Sequence, residues 1–409
     1  TFLKKLFAFL LCFVLLSACA RQAPPADTTP PATSTDGTTI GASNLTGKDA
    51  ANTYLVNDNF QCLTESDSAI YKLVSSRDFI LYYDKGSGNS GPLCSKPDCD
   101  HTGNECDAYV CGASSLQYYD GSLYFVALDP NTFPIETWLW KSDSSGKNRE
   151  KIKQLDQESI IYYYQPQSFI IHRDNLYLFC IDSKVENGAA FYHATLLSSP
   201  LDSSTQFTVL WEQEENAVLQ LSYRFGGQYI YLAIKEGANN VKIIRLNTLD
   251  GTIETLFTEV NQGYYYGEIH LTKQNELYLC GSDATAVYAW KIENGEKTDT
   301  VVIESDSNFP PKILDGLVID TRQNEDNKRV ATVKTLSGET VYEGLLFPNG
   351  IPEMEAELDL NTCNYGEVGG TGSLIAFYMG ADAYGTKPAE YIVYLDTAQN
   401  MKPVLIFPC

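Results

Sequence analysis

The sequence contains no stretch that reads as a long helix, no apolar run of membrane-spanning length and no contiguous catalytic motif. It has no G-x-S-x-G elbow, no H-E-x-x-H pair, no P-loop and no glycine-rich dinucleotide turn opening a helix, which counts modestly against an enzyme whose chemistry sits in one local segment. Histidine is scarce at four residues, and positive charge is thin, with 29 Lys and Arg against 52 Asp and Glu. The net charge is −23, or about −25 once a leader holding Lys4 and Lys5 is removed. Such a field repels nucleic acid and anionic surfaces and attracts cations or basic partners; it is also a common solubility device of exported proteins. What the chain has is core material: 44% hydrophobic residues, 27 Tyr and 18 Phe, a globular composition rich in strand formers.

Residues 1–18 read as a signal peptide, with Lys4 and Lys5 ahead of an apolar run from Leu6 to Leu16 and small residues after it. Leu16-Ser17-Ala18-Cys19 resembles the lipobox of bacterial lipoproteins, and the resemblance implies that Cys19 becomes an acylated amino terminus carrying palmitate-like chains. Several acyl chains, at about 0.8 kcal/mol per buried methylene, hold a protein stably on a bilayer. Residues 19–58 are rich in Pro, Thr, Ser and Ala and have little to bury, so a flexible tether is expected.

From residue 59 to 409 one theme recurs: a short strand, a turn, an apolar strand, then a hairpin. The expected second strands are Phe79 to Tyr83, Leu123 to Ala127, Leu176 to Cys180, Tyr229 to Ala233, Leu277 to Cys280, Leu317 to Ile319 and Leu374 to Tyr378. Turns such as Tyr119-Asp120-Gly121, Arg173-Asp174-Asn175, Gly226-Gly227 and Leu314-Asp315-Gly316 precede several of them. Hairpin signals follow in 140–146, 246–251, 290–295, 336–338 and 395–400. This spacing predicts an all-β fold, a single β-propeller of about seven four-stranded blades; six to eight fit the count, and two β-sandwiches in series are the competing architecture.

The densest chemistry lies in Cys94 to Cys111, where Cys94, Cys99, His101 and Cys106 follow the spacing C-x4-C-x-H-x4-C and Cys111 comes five residues later. Three thiolates and an imidazole would make a closed, structural zinc site. The same cysteines, with Cys111, would form two disulfides in an oxidising compartment, and His101 would then be a bystander. Pro92, Leu93, Cys94, Cys99, His101, Cys106, Ala108 and Tyr109 together resemble the PLC-x4-C-x-H-x4-C-x-A-Y element of a group of β-propeller lipoproteins of Gram-positive anaerobic bacteria. That resemblance implies a cell-surface propeller and names no substrate; an anaerobic host would favour zinc over disulfides.

Other candidates are single residues or small groups. His172, His193 and His270 are potential bases, and propeller enzymes do assemble sites from distant residues. Asp320, Asn324 and Asp326 are potential calcium ligands in an acidic turn that lacks the helix-loop-helix spacing. Tyrosines at 118–119, 162–164 and 264–266 suit either sugar or peptide contacts or simple packing. Cys180 and Cys280 end apolar strands as small buried hydrophobes, whereas Cys62 could clasp Cys363 or Cys409 where a ring closes. The expected protein is a monomeric lipoprotein on the extracellular face of the cell membrane, binding a glycan, a peptide or an envelope protein and no nucleic acid. A hydrolase or lyase acting on glycans or peptides is the enzymatic alternative, and a scaffold of an envelope complex is the third.

Overall fold

Apolar runs in this chain become strands buried on both faces. Leu277–Ser282 is buried throughout, and Ser122–Asp129 is buried at all but two positions. The strands furthest along each repeat alternate instead, as in Ile253–Val260 and Glu296–Glu304, where isolated buried positions punctuate an exposed ribbon. A sheet whose second strand is covered on two sides and whose fourth faces solvent is a propeller blade stacked between neighbours. The computed structural model describes residues 63–74, 78–155, 169–186, 189–202, 205–215, 219–236, 239–260, 262–272, 274–306, 309–314, 316–326, 328–347, 364–371, 374–380, 391–396 and 402–408.

Among these residues there is no helix, and the strands form four-stranded antiparallel sheets, each from four consecutive strands, in a β-propeller. Seven such sheets follow one another, at 63–92, 115–154, 169–215, 219–260, 265–304, 312–345 and 364–408. No sheet borrows a strand from the far end of the chain. The first strands are innermost: Leu63–Glu65 meets Ser115–Tyr119, which meets Phe169–His172, and Leu219–Gly226 likewise meets Tyr265–Leu271.

One sequence expectation needs correction. Phe79 to Tyr83 is not a second strand but the third strand of the first sheet, Phe79–Asp84; the second is Ala69–Val74, buried along its whole length. The Tyr-rich run looks more apolar, yet AIYKLV, with its lysine, is the one that is buried throughout. The remaining six expected second strands are second in their sheets. Gly86 to Gly91, spaced like a dinucleotide turn, spans the hairpin from Phe79–Asp84 to Ser90–Pro92, and no helix follows it.

Tight turns join first to second strands where the sequence places them, with left-handed φ at Asp120 (45°), Gly121 (83°), Arg173 (50°), Asp174 (59°), Gly227 (57°) and Gly316 (81°). Third and fourth strands share a further regularity: a register shift falls between Leu139 and Trp140, Leu196 and Leu197, Ile243 and Ile244, Trp290 and Ile292, Val333 and Lys334, and Tyr394 and Leu395. Bulges add local twist, and repeating one at the same place gives successive blades the same coil. The first sheet departs from this rule because its fourth strand is interrupted.

Five hydrophobic clusters fill the five spaces between the first six sheets. Leu73 and Ile80 pack on Leu116 and Phe125; Val126 and Leu139 on Phe169 and Ile171; Phe179 on Tyr223; Tyr231 and Ile243 on Ile269 and Trp290; Val287 and Val301 on Ile313 and Val318. At about 1.5–3 kcal/mol per fully buried large side chain, these wedges are the main source of stability.

Polar stitches add register between innermost strands. Thr64 Oγ1 accepts the Tyr118 N–H at 2.8 Å, and Ser222 Oγ accepts that of Ile269 at 3.0 Å. Gln117, almost fully buried, donates to the Ile171 carbonyl at 3.0 Å and accepts its N–H at 2.8 Å. Gln117→Leu leaves both backbone groups of Ile171 without the Gln117 amide, and we expect a loss of about 2 kcal/mol in urea unfolding. A change below about 0.5 kcal/mol would show that the stitch carries no net stability.

Candidate metal centre

The Cys/His knuckle is a detour in the outer strand of the first sheet. Ser90–Pro92 pairs with residues 81–83, and the Leu93 N–H then donates to the Ile80 carbonyl at 2.8 Å. The chain leaves, and on its return the Ala108 carbonyl accepts the Ile80 N–H at 2.9 Å, while the Val110 N–H donates to the Asp78 carbonyl at 2.7 Å. Residues 108–110 thus continue the edge that 90–92 began, and the excursion between them holds all four candidate ligands. Leu93, Cys106, Ala108 and Val110 are buried in the wedge between the first two sheets, which anchors both ends of the loop.

Within the loop, two reversals bring distant donors together. His101 has φ of 56° and Gly103 φ of 73°, and the Cys106 N–H closes a turn on the Gly103 carbonyl at 3.1 Å. The ligand atoms of Cys94, Cys99, His101 and Cys106 lie within 4.8 Å of one another, and His101 Nδ1 is 3.4 Å from Cys106 Sγ. A tetrahedral zinc with bonds of about 2.3 Å to sulfur and 2.0 Å to nitrogen separates its ligands by about 3.5–3.8 Å. The donor set therefore fits a metal ion with small closing movements. Four protein ligands complete a tetrahedron and leave no position for substrate, and the rim location agrees with a structural role.

Surrounding groups suit a cluster of thiolates. The Ala108 N–H reaches Cys106 Sγ at 3.4 Å. Burial pushes the Cys94 thiol up, but the N–H groups of Lys96 and Asp107 and the neighbouring thiols outweigh it and hold Cys94 below its ordinary value. Burial dominates at Cys106, whose pKa rises to about 11. Lys96, 3.2 Å from Asp107, is raised chiefly by that carboxylate and also by the thiols of Cys94 and Cys99. From the second sheet Arg149 donates to the carbonyls of Asp107 and Tyr109, clamping the return of the loop to its neighbour.

Cys111 stays outside the cluster, beside Tyr109, and Cys94, Cys99, Cys106 and Cys111 are free thiols in this structure. Among the described residues this is the one group arranged to hold a metal.

The other candidates do not converge. His172 is fully buried and donates from Nε2 to the Gly227 carbonyl at 2.6 Å, so it wedges the third sheet against the fourth. His270 is buried beside Arg224; His193 lies on a third strand, 3.5 Å from Glu212. Asp320 is buried and accepts from Arg322 at 2.9 Å, while Asn324 caps its own turn by accepting from Asp326 and Lys328 N–H groups; the three expected calcium ligands are not brought together. Tyr118 stacks on Tyr71 of the first sheet and Tyr119 bonds Asp174 beside the third, so these two join blades; Tyr264 and Tyr266 pack on Trp290 within the fifth sheet, and Tyr266 also bonds Glu259 of the fourth. Cys180 and Cys280 are buried, Cys280 with its thiol pushed to about 12 by burial. Cys12, Cys19, Cys62, Tyr162–Tyr164, Cys363 and Cys409 lie outside the described residues.

The histidine at 270 makes a pH prediction. Burial first, and Arg224 second, lower its pKa to about 3, so the folded protein keeps it neutral while the unfolded chain protonates it below about 6.5. The unfolded state then binds more protons, and stability is lost as pH falls from about 6.5 towards 3. Between pH 7 and 5 the parent should lose about 2 kcal/mol more than His270→Asn in urea melts. Equal losses would mean that His270 is protonated without cost in the fold.

No protein-family model matches the chain, and no curated protein matches it. Solved structures do. A prolyl endopeptidase is 14% identical with a TM-score of 0.52, over 90% of this chain and 52% of its own. Oligopeptidase B from Leishmania major is 7% identical with a TM-score of 0.50, over 89% and 51%. An oligogalacturonate lyase in complex with manganese is 12% identical with a TM-score of 0.50, over 83% and 88%. The chain spans about half the length of the two peptidases. At these identities the likeness establishes one thing, that the chain folds as a β-propeller.

Proposed function

We propose that this chain is a lipid-anchored extracellular propeller that binds a peptide without turning it over, with a structural zinc in the outer strand of its first blade. In this reading Cys19 carries the acyl chains on the outer face of the cell membrane, residues 19–58 are the tether, and the seven sheets close into one ring. The observation that carries the non-catalytic reading is the placement of all four histidines: one in the knuckle, two buried between blades and one on a third strand beside Glu212. Each already has a local role, and no two share a site. Cys94, Cys99, His101 and Cys106 would hold the zinc, whose chemistry there is to tie four side chains to one centre.

The likeness to peptidase propellers favours peptides over glycans and keeps a peptide hydrolase as the enzymatic alternative. Titrating purified protein with peptide pools while following both binding and cleavage separates the two. Saturable binding with intact peptide supports the receptor; cleavage that survives substitution of each histidine would replace it with an enzyme built on other residues. Stable capture of one envelope protein, with no peptide response, would instead support a scaffold.

A further inference from the structure

Cations in the interior differ sharply in how the described residues partner them. Lys153 donates to the carbonyls of Asp202 at 2.6 Å and Thr205 at 2.8 Å, and Lys297 reaches Glu259 and lies 3.8 Å from the Trp290 ring centre. Lys235, 8% exposed on the second strand of the fourth sheet, has a single acceptor among the described residues, the Tyr266 carbonyl at 3.5 Å. An ammonium group with three protons and one long hydrogen bond is expensive to bury, and burial duly lowers its pKa, with only partial relief from Glu268 and Cys280.

Its surroundings explain where a partner would come from. Tyr266 begins a bulge in the innermost strand of the fifth sheet, where register skips from Tyr266 to Ile269. Gly267 sits in that bulge pressed on the sixth-sheet entry, with Pro310 Cβ only 2.5 Å from where a side chain would start. The bulge aims Glu268 between two cations: Arg224 Nη2 of the fourth sheet at 3.2 Å and Lys312 Nζ of the sixth at 3.9 Å. Arg224 is itself 4% exposed. Glu268 is thus outnumbered by two cations, with Lys235 near enough to feel its charge, in a protein of net charge −23; Arg224, Glu268 and Lys312 lie on innermost strands that border a propeller's central channel, and Lys235 on the strand behind them.

We propose that Lys235, Arg224 and Lys312 form a receptor for one carboxylate group, the C-terminus of a peptide entering the channel. This rests on the peptide-binding reading above and specifies the group bound. The cations gather at one place beside Glu268 instead of repeating along the blades, which suits a single terminal carboxylate better than the regularly spaced acids of a uronate chain. A guanidinium with two ammonium groups matches a carboxylate's two oxygens, and the bond is charge-assisted.

The test compares a random tripeptide pool with free C-termini, the same pool amidated, and trigalacturonate, using calorimetric titration and melting curves on the parent and Lys235→Met. The expected result is binding of the acid pool, about 10- to 100-fold weaker binding of the amidated pool, and a similar loss in Lys235→Met. That variant should also melt at or above the parent, because it removes a poorly compensated buried charge. Equal binding of acid and amide would leave the peptide receptor standing and overturn the carboxylate site. Preference for trigalacturonate would overturn it in favour of an acidic glycan. No response to any probe would overturn the peptide-binding reading itself, and a Lys235→Met that melts lower and binds as the parent does would make Lys235 merely structural.

Discussion

Chelation is expected to melt the knuckle and loosen the first blade from the second. Protein purified with reductant and without chelator should carry one zinc ion per chain, and a strong chelator should lower the melting temperature and expose residues 93–110 to hydrogen exchange. Between its anchored ends the loop has little else to hold it: few backbone hydrogen bonds cross it, and from residue 94 to 107 Cys106 alone is buried. Three thiols and a histidine within 4.8 Å repel one another once the thiols ionise, and a cation among them would turn that repulsion into attraction. A structural zinc contributes on the order of 10 kcal/mol to ordering its own ligands. The global transition should move by much less, since the loop can open while the other blades stay folded. Cys106→Ser should abolish stoichiometric zinc and reproduce the chelated protein. Metal loss should also follow acidification, because protons compete for the thiolates and imidazole. Metal-free protein whose intact mass lacks the hydrogens of two disulfides, with unchanged melting under chelator, would show that the cysteines pair with one another.

Replacing Gly146 should strike the same joint from the other side. Gly146 turns the hairpin between Glu136–Asp143 and Glu150–Gln154 with φ of 83°, is buried, and faces the knuckle. A Cβ there would stand 2.8 Å from the Leu93 carbonyl oxygen and 3.2 Å from that of Asp107. Backbone oxygens cannot rotate away as a side chain would, and a β-branched residue is an outlier at this φ. Gly146→Val is therefore expected to cost about 3–5 kcal/mol in urea unfolding and to weaken zinc retention, since the displaced carbonyls belong to residues next to Cys94 and Cys106. The neighbouring Arg149 clamp would lose its aim at Asp107 and Tyr109 as well. A variant with parental stability and full zinc would mean that the hairpin and the knuckle move independently.

Much of the architecture was legible because its causes are local. Asp120-Gly121 and Arg173-Asp174 mark tight turns by residue type alone, and these residues carry the left-handed φ. Runs such as LYLFC and YIYLA announce second strands because both faces are covered, so no polar alternation interrupts them. The reading failed at FILYY for the converse reason: Ala69–Val74 buries Lys72 within an all-buried strand, and a lysine in the sequence argues against a strand covered on both faces.

The metal ligands stood out because Cys94, Cys99, His101 and Cys106 fall within thirteen positions of one another and the chain between them needs only two reversals to close. Their spacing left Cys111 either outside a zinc site or a partner in a disulfide; the return of the strand at residues 108–110 carries it away from the cluster. By itself, then, the sequence determined an all-β repeat, its turns and a compact donor set, since each depends on neighbours in the chain. Tertiary structure alone decided that the knuckle interrupts an outer strand, that Arg149 and Gly146 brace it, and that Arg224, Glu268 and Lys312 meet. Those three residues lie on the innermost strands of three different blades, 44 residues apart in each step. The equal spacing places them on equivalent strands of successive blades, but it does not say that their side chains meet; only the stacking of the blades brings their charges into one place.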